Sequence, residues 1–480
     1  MNKKSQIDKR INQRAYAWIL FGVIFITSIV FSKIINVTYY RFDSDWYWTF
    51  GDPVFENGFH LLRFPKMYRG YFYVILLGIL KRIFPGFWGW ILLSAVSAAV
   101  CFAFSLPYVI HSRLTNSKKD AVRGYLSYLV FMMVWKHFMQ YPHSDFMAAF
   151  FFITGAALVK SYRNQSKVLL QFVTGFCAGV FLYAAYNTRV VYLYGTLVLL
   201  IFFFVSNLKN LQRLFIGLLV LVVGMAFLAF PQSMINKQND GSYSPFVNTM
   251  TETDLNLEVL QLYWGLTIDR FEGYVGEVDL FENSQVYYEN PVGFAICERD
   301  GLSRENFTVR EFFRELLKHP LDFLGIYARH FISMMTPGFR IYPYNTNLFE
   351  DKSFLVVTSI LIWIIAGYGL TNQIKTHGFS VDGILIFAIC LPSLMEIVGA
   401  PEIRFFMPIY LLGYHYVFEA IDYNELRKDF SVNWLQTSFC MIVIFCLWIS
   451  VFSDMMASNQ KIPLLINDRE PVVLSENNEH

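Results

Sequence analysis

Apolar residues in this chain come in long unbroken blocks, with neither the alternation of a half-buried strand nor the narrow stripe of a soluble helix. Blocks near 15–36, 87–110, 122–140, 145–160, 167–186, 190–206, 213–231, 354–370, 382–399, 405–420 and 434–453 approach the length of a membrane span, which is about 20 residues for roughly 30 Å of hydrocarbon. The pattern predicts an all-α polytopic membrane protein with a bundle of about eleven transmembrane helices. One further block, "GYFYVILLGIL" at 70–80, is trapped between Arg69 and Lys81–Arg82. A helix of that length covers only about 16 Å, so it is expected to lie along the interface or to re-enter. The stretch 310–335 reads as helix broken at Pro320 and is likewise expected at the interface.

Charge orients this threading. With 70–80 kept out of the membrane, the inside segments 1–14, 112–123, 160–167, 207–213, 371–381 and 421–429 hold seventeen Lys and Arg residues. The short outside turns near 141–144, 187–189 and 400–404 hold only Arg189 and Arg404. Letting 70–80 cross would move twelve of the seventeen outside, against the positive-inside rule. The chain therefore divides into an N-terminal transmembrane module (1–231) whose first outer loop is 37–86, an extracytoplasmic region with interfacial helices (232–352), C-terminal transmembrane helices (353–453) and a polar tail (454–480). The N-terminus is expected in the cytoplasm and the polar loops of interest on the outer face.

Composition agrees. Of 480 residues, 55% are hydrophobic and only 16% charged, against roughly 25% charged in soluble domains. The 18% aromatic content suits Trp and Tyr belts at the two interfaces. A net charge of +2 without a basic tract gives no footprint for nucleic acid. Six cysteines are scattered, five in apolar blocks and Cys297 in a polar region, so neither a disulfide framework nor a metal spacing is present. The basic N-terminus followed by an apolar block without a small-residue cleavage site reads as an uncleaved first span. Compact loops point to a bacterial plasma (inner) membrane.

The candidate chemistry gathers on the outer side. "YYRFDSDWYWTFGDP" (39–53) places Asp43 and Asp45 among aromatics directly after the first span. They are either solvated loop acids or a general base for an incoming hydroxyl. In the same loop Arg63, Lys66 and Arg69 stand beside the short apolar segment; they anchor it to lipid headgroups or clamp a phosphate. His143 and Asp145 sit where one span ends and the next begins, Asp145 in a position also favoured by a helix dipole. Arg189 tops another span. Glu396 lies within an apolar block, and Glu402 and Arg404 stand in a tight turn, either as a local pair or as part of a site.

Together these pieces resemble the GT-C class of polytopic glycosyltransferases, which includes protein O-mannosyltransferases and lipid A aminoarabinose transferases. Four features carry the likeness: the acidic Asp43-Ser-Asp-Trp-Tyr47 after the first span, Pro65 to Gly70 leading into a short helix, Asp145 with Asn187 to Arg189 two spans on, and Glu402-Ile-Arg404-Phe405-Phe-Met-Pro408 opening a late span. The likeness covers about 15–230 and 380–420. It departs from the family where Asp-Glu is replaced by Asp43-Ser44, and it lacks an oligosaccharyltransferase signature. The resemblance implies a donor sugar on a polyprenyl-phosphate carrier and an acceptor on a glycan, lipid or protein at the outer face. It implies Asp43 or Asp45 as catalytic acid/base, and Arg404, Arg69, Lys66 and Arg189 on the donor phosphate. Tyr47, Tyr68, His143, Asp145 and Glu402 would support them, and no cofactor or metal is expected. The alternatives are a polysaccharide polymerase or a flippase acting on polyprenyl-linked glycans. A secondary transporter finds no internal repeat here, and an acyltransferase finds only His137 and His330 as loose candidates.

Overall fold

The computed structural model describes residues 3–34, 42–250, 256–272, 286–337, 353–377, 381–421, 423–424, 427 and 434–458. Residues 37–41 of the first outer loop, 251–255, 273–285 and 338–352 of the polar region, 459–480 of the tail, and the side chain of His137 lie outside that description.

In chain order the helices are α1 (Lys3–Ile34), α2 (Phe42–Thr49), α3 (Tyr71–Ile83), α4 (Trp88–Val100), α5 (Leu106–His111), α6 (Lys118–Gln140), α7 (Ser144–Asn164), α8 (Val168–Thr188), α9 (Tyr192–Asn207) and α10 (Leu211–Asp240). There follow α11 (Leu257–Thr267), the strands β1 (Ile268–Glu272) and β2 (Val286–Glu289), α12 (Pro291–Asp300), α13 (Val309–Lys318), α14 (Pro320–Met335), α15 (Ser353–His377), α16 (Val381–Met395), α17 (Met407–His415) and α18 (Trp434–Ser458). The chain is an all-α polytopic membrane protein apart from the small hairpin.

Among the described residues, eight helices are long and apolar enough to cross a membrane: Ala15–Lys33, Trp88–His111, Ser144–Asn164, Val168–Thr188, Leu211–Asp240, Phe354–Thr371, Val381–Val398 and Leu435–Ala457. The remaining three of the eleven expected spans are helical but do not meet that standard. The block 122–140 lies in α6, which also carries Lys118, Lys119, Asp120, Arg123 and Lys136. Helix α9 has 16 residues. The block 405–420 is divided between a 3-10 turn, the 9-residue α17 and the π-turn Tyr416–Ala420. The block ending at 231 also runs on, because α10 continues through Pro231 to Asp240. Proline removes one backbone hydrogen bond at that point, yet the helix resumes and carries Gln232 and Asn236 with it.

Two compact units emerge. The first comprises 1–257, 362–395 and 405–435. Helix α7 is its centre: Phe146, Met147, Ala148, Ala149, Phe152 and Ile153 are wholly enclosed, as expected of a helix apolar on every side. Helices α8 and α10 cross at Gly179 and Gly224. A Cβ on Gly179 would stand 2.0 Å from the Leu221 carbonyl oxygen, and one on Gly224 would stand 2.1 Å from that of Phe176. Small residues let helix backbones approach this closely in membranes. Lys160, 3% exposed, is held by Asp382 at 2.9 Å and by the Val109 carbonyl at 2.6 Å. The segment 70–80 forms α3, with Tyr71, Tyr73, Val74, Ile75, Leu77 and Gly78 buried.

The second unit comprises 258–361, 396–404 and 436–480. Leu266, Ile296, Cys297, Phe307, Phe312 and Phe323 form its core. Thr308 caps α13 by accepting from the Glu311 amide at 3.2 Å, and its hydroxyl donates to the Glu311 carboxylate. The helix break lies at His319–Pro320, as the sequence predicts, with Pro320 opening α14. The antiparallel β1–β2 pair is not signalled by apolar periodicity. Beside it, fully buried Asp269 accepts from Arg329 Nε at 2.8 Å and from Asn290 Nδ2 at 2.6 Å.

Two tests of packing follow from these contacts. Gly179→Leu or Gly224→Leu is expected to cost about 1–3 kcal/mol or more through overpacking, read as a lower melting temperature in detergent. Gly367→Ala, where a Cβ meets nothing within 4 Å, should leave that temperature unchanged. In the second unit, His330 is fully buried with Nδ1 on the Ile397 carbonyl at 2.6 Å, and burial depresses its pKa below the ordinary 6.5. The unfolded chain then binds the extra proton first. Stability is therefore full above pH 6.5 and falls below it, at no more than about 1.4 kcal/mol per pH unit. His330→Gln should flatten that slope in melts recorded from pH 7.5 to 5.

Candidate functional site

The site begins at α2. Asp43 and Asp45 both lie in its first turn, where the helix dipole favours acids. At 3.6 residues per turn, two residues apart means opposite faces. Asp43 is half-buried on the face it shares with Tyr47, whereas Asp45 is exposed.

Tyr47 is 2% exposed. Its hydroxyl donates to Ser144 Oγ at 3.0 Å and accepts from the Arg69 guanidinium. Burial raises the phenol pKa; the Arg69 charge opposes the rise, the Asp43 charge adds to it, and Ser144 and Arg189 oppose it further. The phenol thus stays protonated at neutral pH. Arg69 lies among aromatic rings, its guanidinium 5.2 Å from the Tyr47 centroid, 5.4 Å from Tyr68 and 5.8 Å from Trp46. Tyr68 stacks on Trp46 at 6.1 Å. Such cation–π contacts hold the cation's orientation while leaving it charged.

The second half of the site comes from the ends of α7 and α8. Ser144 and Asp145 open α7 and are both buried. Asp145 forms an ion pair with Arg189, the residue that closes α8. The Arg189 guanidinium also lies 4.2 Å from the Phe405 ring centroid. One residue earlier in the chain than Thr188, Asn187 accepts from the Phe72 amide at 2.8 Å and donates to Gln232 Oε1 at 2.8 Å. Gln232 in turn donates to Asn236 Oδ1 at 2.9 Å. Gly70 abuts Asn187 so closely that a Cβ there would stand 2.0 Å from its carbonyl oxygen. This fixes the start of α3, and with it the placement of Arg69.

The structure therefore brings together Asp43, Tyr47, Tyr68, Arg69, Asp145 and Arg189. The other expected residues have partners of their own. Lys66 pairs with Asp240 at 3.1 Å with its side chain 61% exposed. Arg63 donates to the Glu56 carbonyl at 2.7 Å. His143 is buried at the N-terminal boundary of α7, its ring 5.4 Å from Phe138 and its carbonyl accepting from Tyr73 at 3.3 Å. Glu402 and Arg404 belong to the second unit and form a local pair, Nε to Oε2 at 2.5 Å.

Ser144, Gln232 and Asn236 were not selected from sequence, and Asn187 was noted only as the start of the Asn-Thr-Arg end of a span. The available signal was two carboxamides four residues apart, just past the apolar run of α10. Also unselected was the buried His415, 3.3 Å from Glu419, with His111 at 3.8 Å from the same carboxylate. In the second unit Asp300, Glu315 and His319 present ligand atoms close enough to share a cation. Lys318 at 3.0 Å and Arg314 at 2.9 Å already serve Glu315, so an ion-pair network accounts for that cluster.

No protein-family model, curated protein or solved structure matches the chain.

The Asp145–Arg189 pair is testable alone. Removing one member of a buried pair strands the other charge, at about 3–5 kcal/mol. Asp145→Asn and Arg189→Met should each lower the melting temperature sharply. The double variant should recover much of the loss, giving a favourable coupling in a double-mutant cycle; purely additive losses would show that the pair carries no interaction energy.

Proposed function

We propose that the protein is a membrane glycosyltransferase of the GT-C type, which moves a sugar from a polyprenyl-phosphate carrier to a hydroxyl on a cell-surface glycan, lipid or protein. The observation that supports this reading is the convergence of an acid, Asp43, and two guanidinium groups, Arg69 and Arg189, on the buried phenol of Tyr47. In the proposed reaction the acceptor oxygen attacks C1 of the sugar as the C1–O bond to phosphate breaks. The acceptor proton passes to the Asp43 carboxylate, and the bonding electrons leave with the phosphate. Negative charge grows on that phosphate in the transition state, where fixed cations stabilise it most. Arg69, oriented by Tyr47 and three rings, is the first candidate for that role, with Arg189 beside Asp145 assisting. The resemblance assigns Arg404 to the phosphate as well.

Asp43 is the base in this reading because it shares the Tyr47 face, while Asp45 faces solvent. The finer features, an eleven-span bundle, a cytoplasmic N-terminus and a site on the outer face of a bacterial inner membrane, belong to the same proposal. A donor tethered in the bilayer must be met at the membrane edge, where α2 follows the first span.

Mass profiles of surface glycans test the reading in cells carrying the wild type, no protein, or single variants at matched expression. Asp43→Asn is expected to remove a sugar that the null strain also lacks, since loss of a general base costs about 10²–10⁴-fold in rate. Asp45→Asn should leave the profile intact. Loss in the null strain with Asp43→Asn unimpaired would favour the polymerase or flippase alternative. An identical profile in all strains would sink any glycan role in that host.

A further inference from the structure

A cavity of about 220 Å³ opens beside the C-terminal end of α1, lined by Ser32 and Lys33, the loop before α4 and the last residue of α6. It is distinct from the Tyr47 cluster. Pro85, Phe87 and Ile91 supply an apolar wall. Gly86 turns the loop with φ +55°, where a Cβ would meet nothing within 4 Å, so the backbone conformation, not lack of space, asks for glycine there.

Two polar groups define what fits. The Lys33 ammonium lies 3.9 Å from the centroid of the Trp88 ring, a cation seated against an indole. Gln140 is 3% exposed, and its Nε2 donates to the Phe31 carbonyl at 3.3 Å. That bond sets the amide so that Oε1 is the remaining group, and Oε1 is buried without a hydrogen-bond partner among the described residues. A buried acceptor left unmade is costly, and a donor from a bound molecule would satisfy it.

The approach to the cavity is greasy. Ile19, Val23, Ile26 and Val30 are exposed on α1, at spacings of four, three and four residues that place them on one stripe. Lys33 continues the same stripe by three more residues, and it is exposed. An apolar track thus runs along the first span and ends at the cation and the cavity, which the threading above places at the outer boundary of the membrane.

We infer that this cavity binds the headgroup of an anionic amphiphile, a phosphate ester that also carries a hydroxyl or amine donor. The phosphate sits on Lys33, the donor reaches Gln140 Oε1, and the acyl chain follows the α1 stripe.

Binding of short-chain lipids to the purified full-length protein in detergent tests this, read by native mass spectrometry and by the rise in melting temperature. Dioctanoyl phosphatidylglycerol has an anionic phosphate and hydroxyl donors; dioctanoyl phosphatidylmethanol has the same charge without a donor. The wild type should bind the first more tightly. Gln140→Leu should erase the preference, and Lys33→Gln should weaken phosphatidylglycerol at least about tenfold, the worth of one charge-assisted hydrogen bond. Ile91→Trp, which fills the cavity without touching charge, should abolish binding and serves if either polar variant fails to fold. Equal affinity of the wild type for both lipids, or unchanged binding in folded variants, overturns the proposal. Inorganic phosphate competing at the same concentrations as the lipid would overturn the amphiphile in favour of a free anion.

Discussion

The C-terminal end of α8 is the joint on which the first unit depends. A helix that ends among apolar neighbours leaves carbonyls and polar side chains that water does not reach, and each must find a partner in the protein. Each of residues 186–189 answers this with partners of its own. Tyr186 accepts from the Val247 amide at 3.0 Å. Asn187 ties the start of α3 to α10 through Phe72 and Gln232. Thr188 returns to the Ala184 carbonyl at 2.7 Å. Arg189 joins α7 through Asp145 and lies over Phe405. One turn of chain thereby positions three helices, and the reach of Arg69 and the depth of Tyr47 both follow from where that turn stands.

The electrostatics of the cluster are set by the same joint. Two carboxylates, Asp43 and Asp145, and two guanidinium groups, Arg69 and Arg189, share a space with a phenol that burial keeps neutral. Opposite charges in balance make the arrangement tolerable in surroundings of low dielectric. They also orient the guanidinium groups in advance, so in the proposed reaction the donor phosphate would meet dipoles already in place instead of reorganising them. Tyr47 is the common contact, passing a hydrogen bond from Arg69 towards Ser144. Its role in the proposed chemistry is therefore positional.

Much of the architecture was legible because membrane spans are written in composition and length. The helix break at Pro320 and the shortness of α3 were legible too, one from proline geometry and the other from its flanking cations. The reach of α10 past Pro231 was not, because Gln232 and Asn236 look like loop residues until their partners on α8 are known. In the candidate site the residue types were visible in sequence but their grouping was not. Lys66 and Arg69 stand three apart and read alike, yet one is pulled to Asp240 and the other is locked among aromatic rings. Asp43 and Asp45 were indistinguishable until α2 proved helical, when a two-residue spacing turned them to opposite faces. The β1–β2 pair escaped because its register rests on tertiary partners such as Asp269 with Arg329, which no local pattern announces.

Pairing with carboxylates does not disqualify the arginines as phosphate ligands. A guanidinium offers five donors in a planar fork, and an ion pair along one edge leaves it charged and fixed in direction. A lysine in an exposed pair has neither property: its ammonium is a point charge on a flexible stem, and bulk water screens it. Lys66 on Asp240 is of that kind, with its side chain 61% exposed. Arg69 and Arg189 are of the other kind, held by Tyr47 and by buried Asp145. The same physics that makes a stranded charge costly in the interior thus selects, in the proposed reaction, which cations would serve the phosphate: those whose orientation the fold has already fixed.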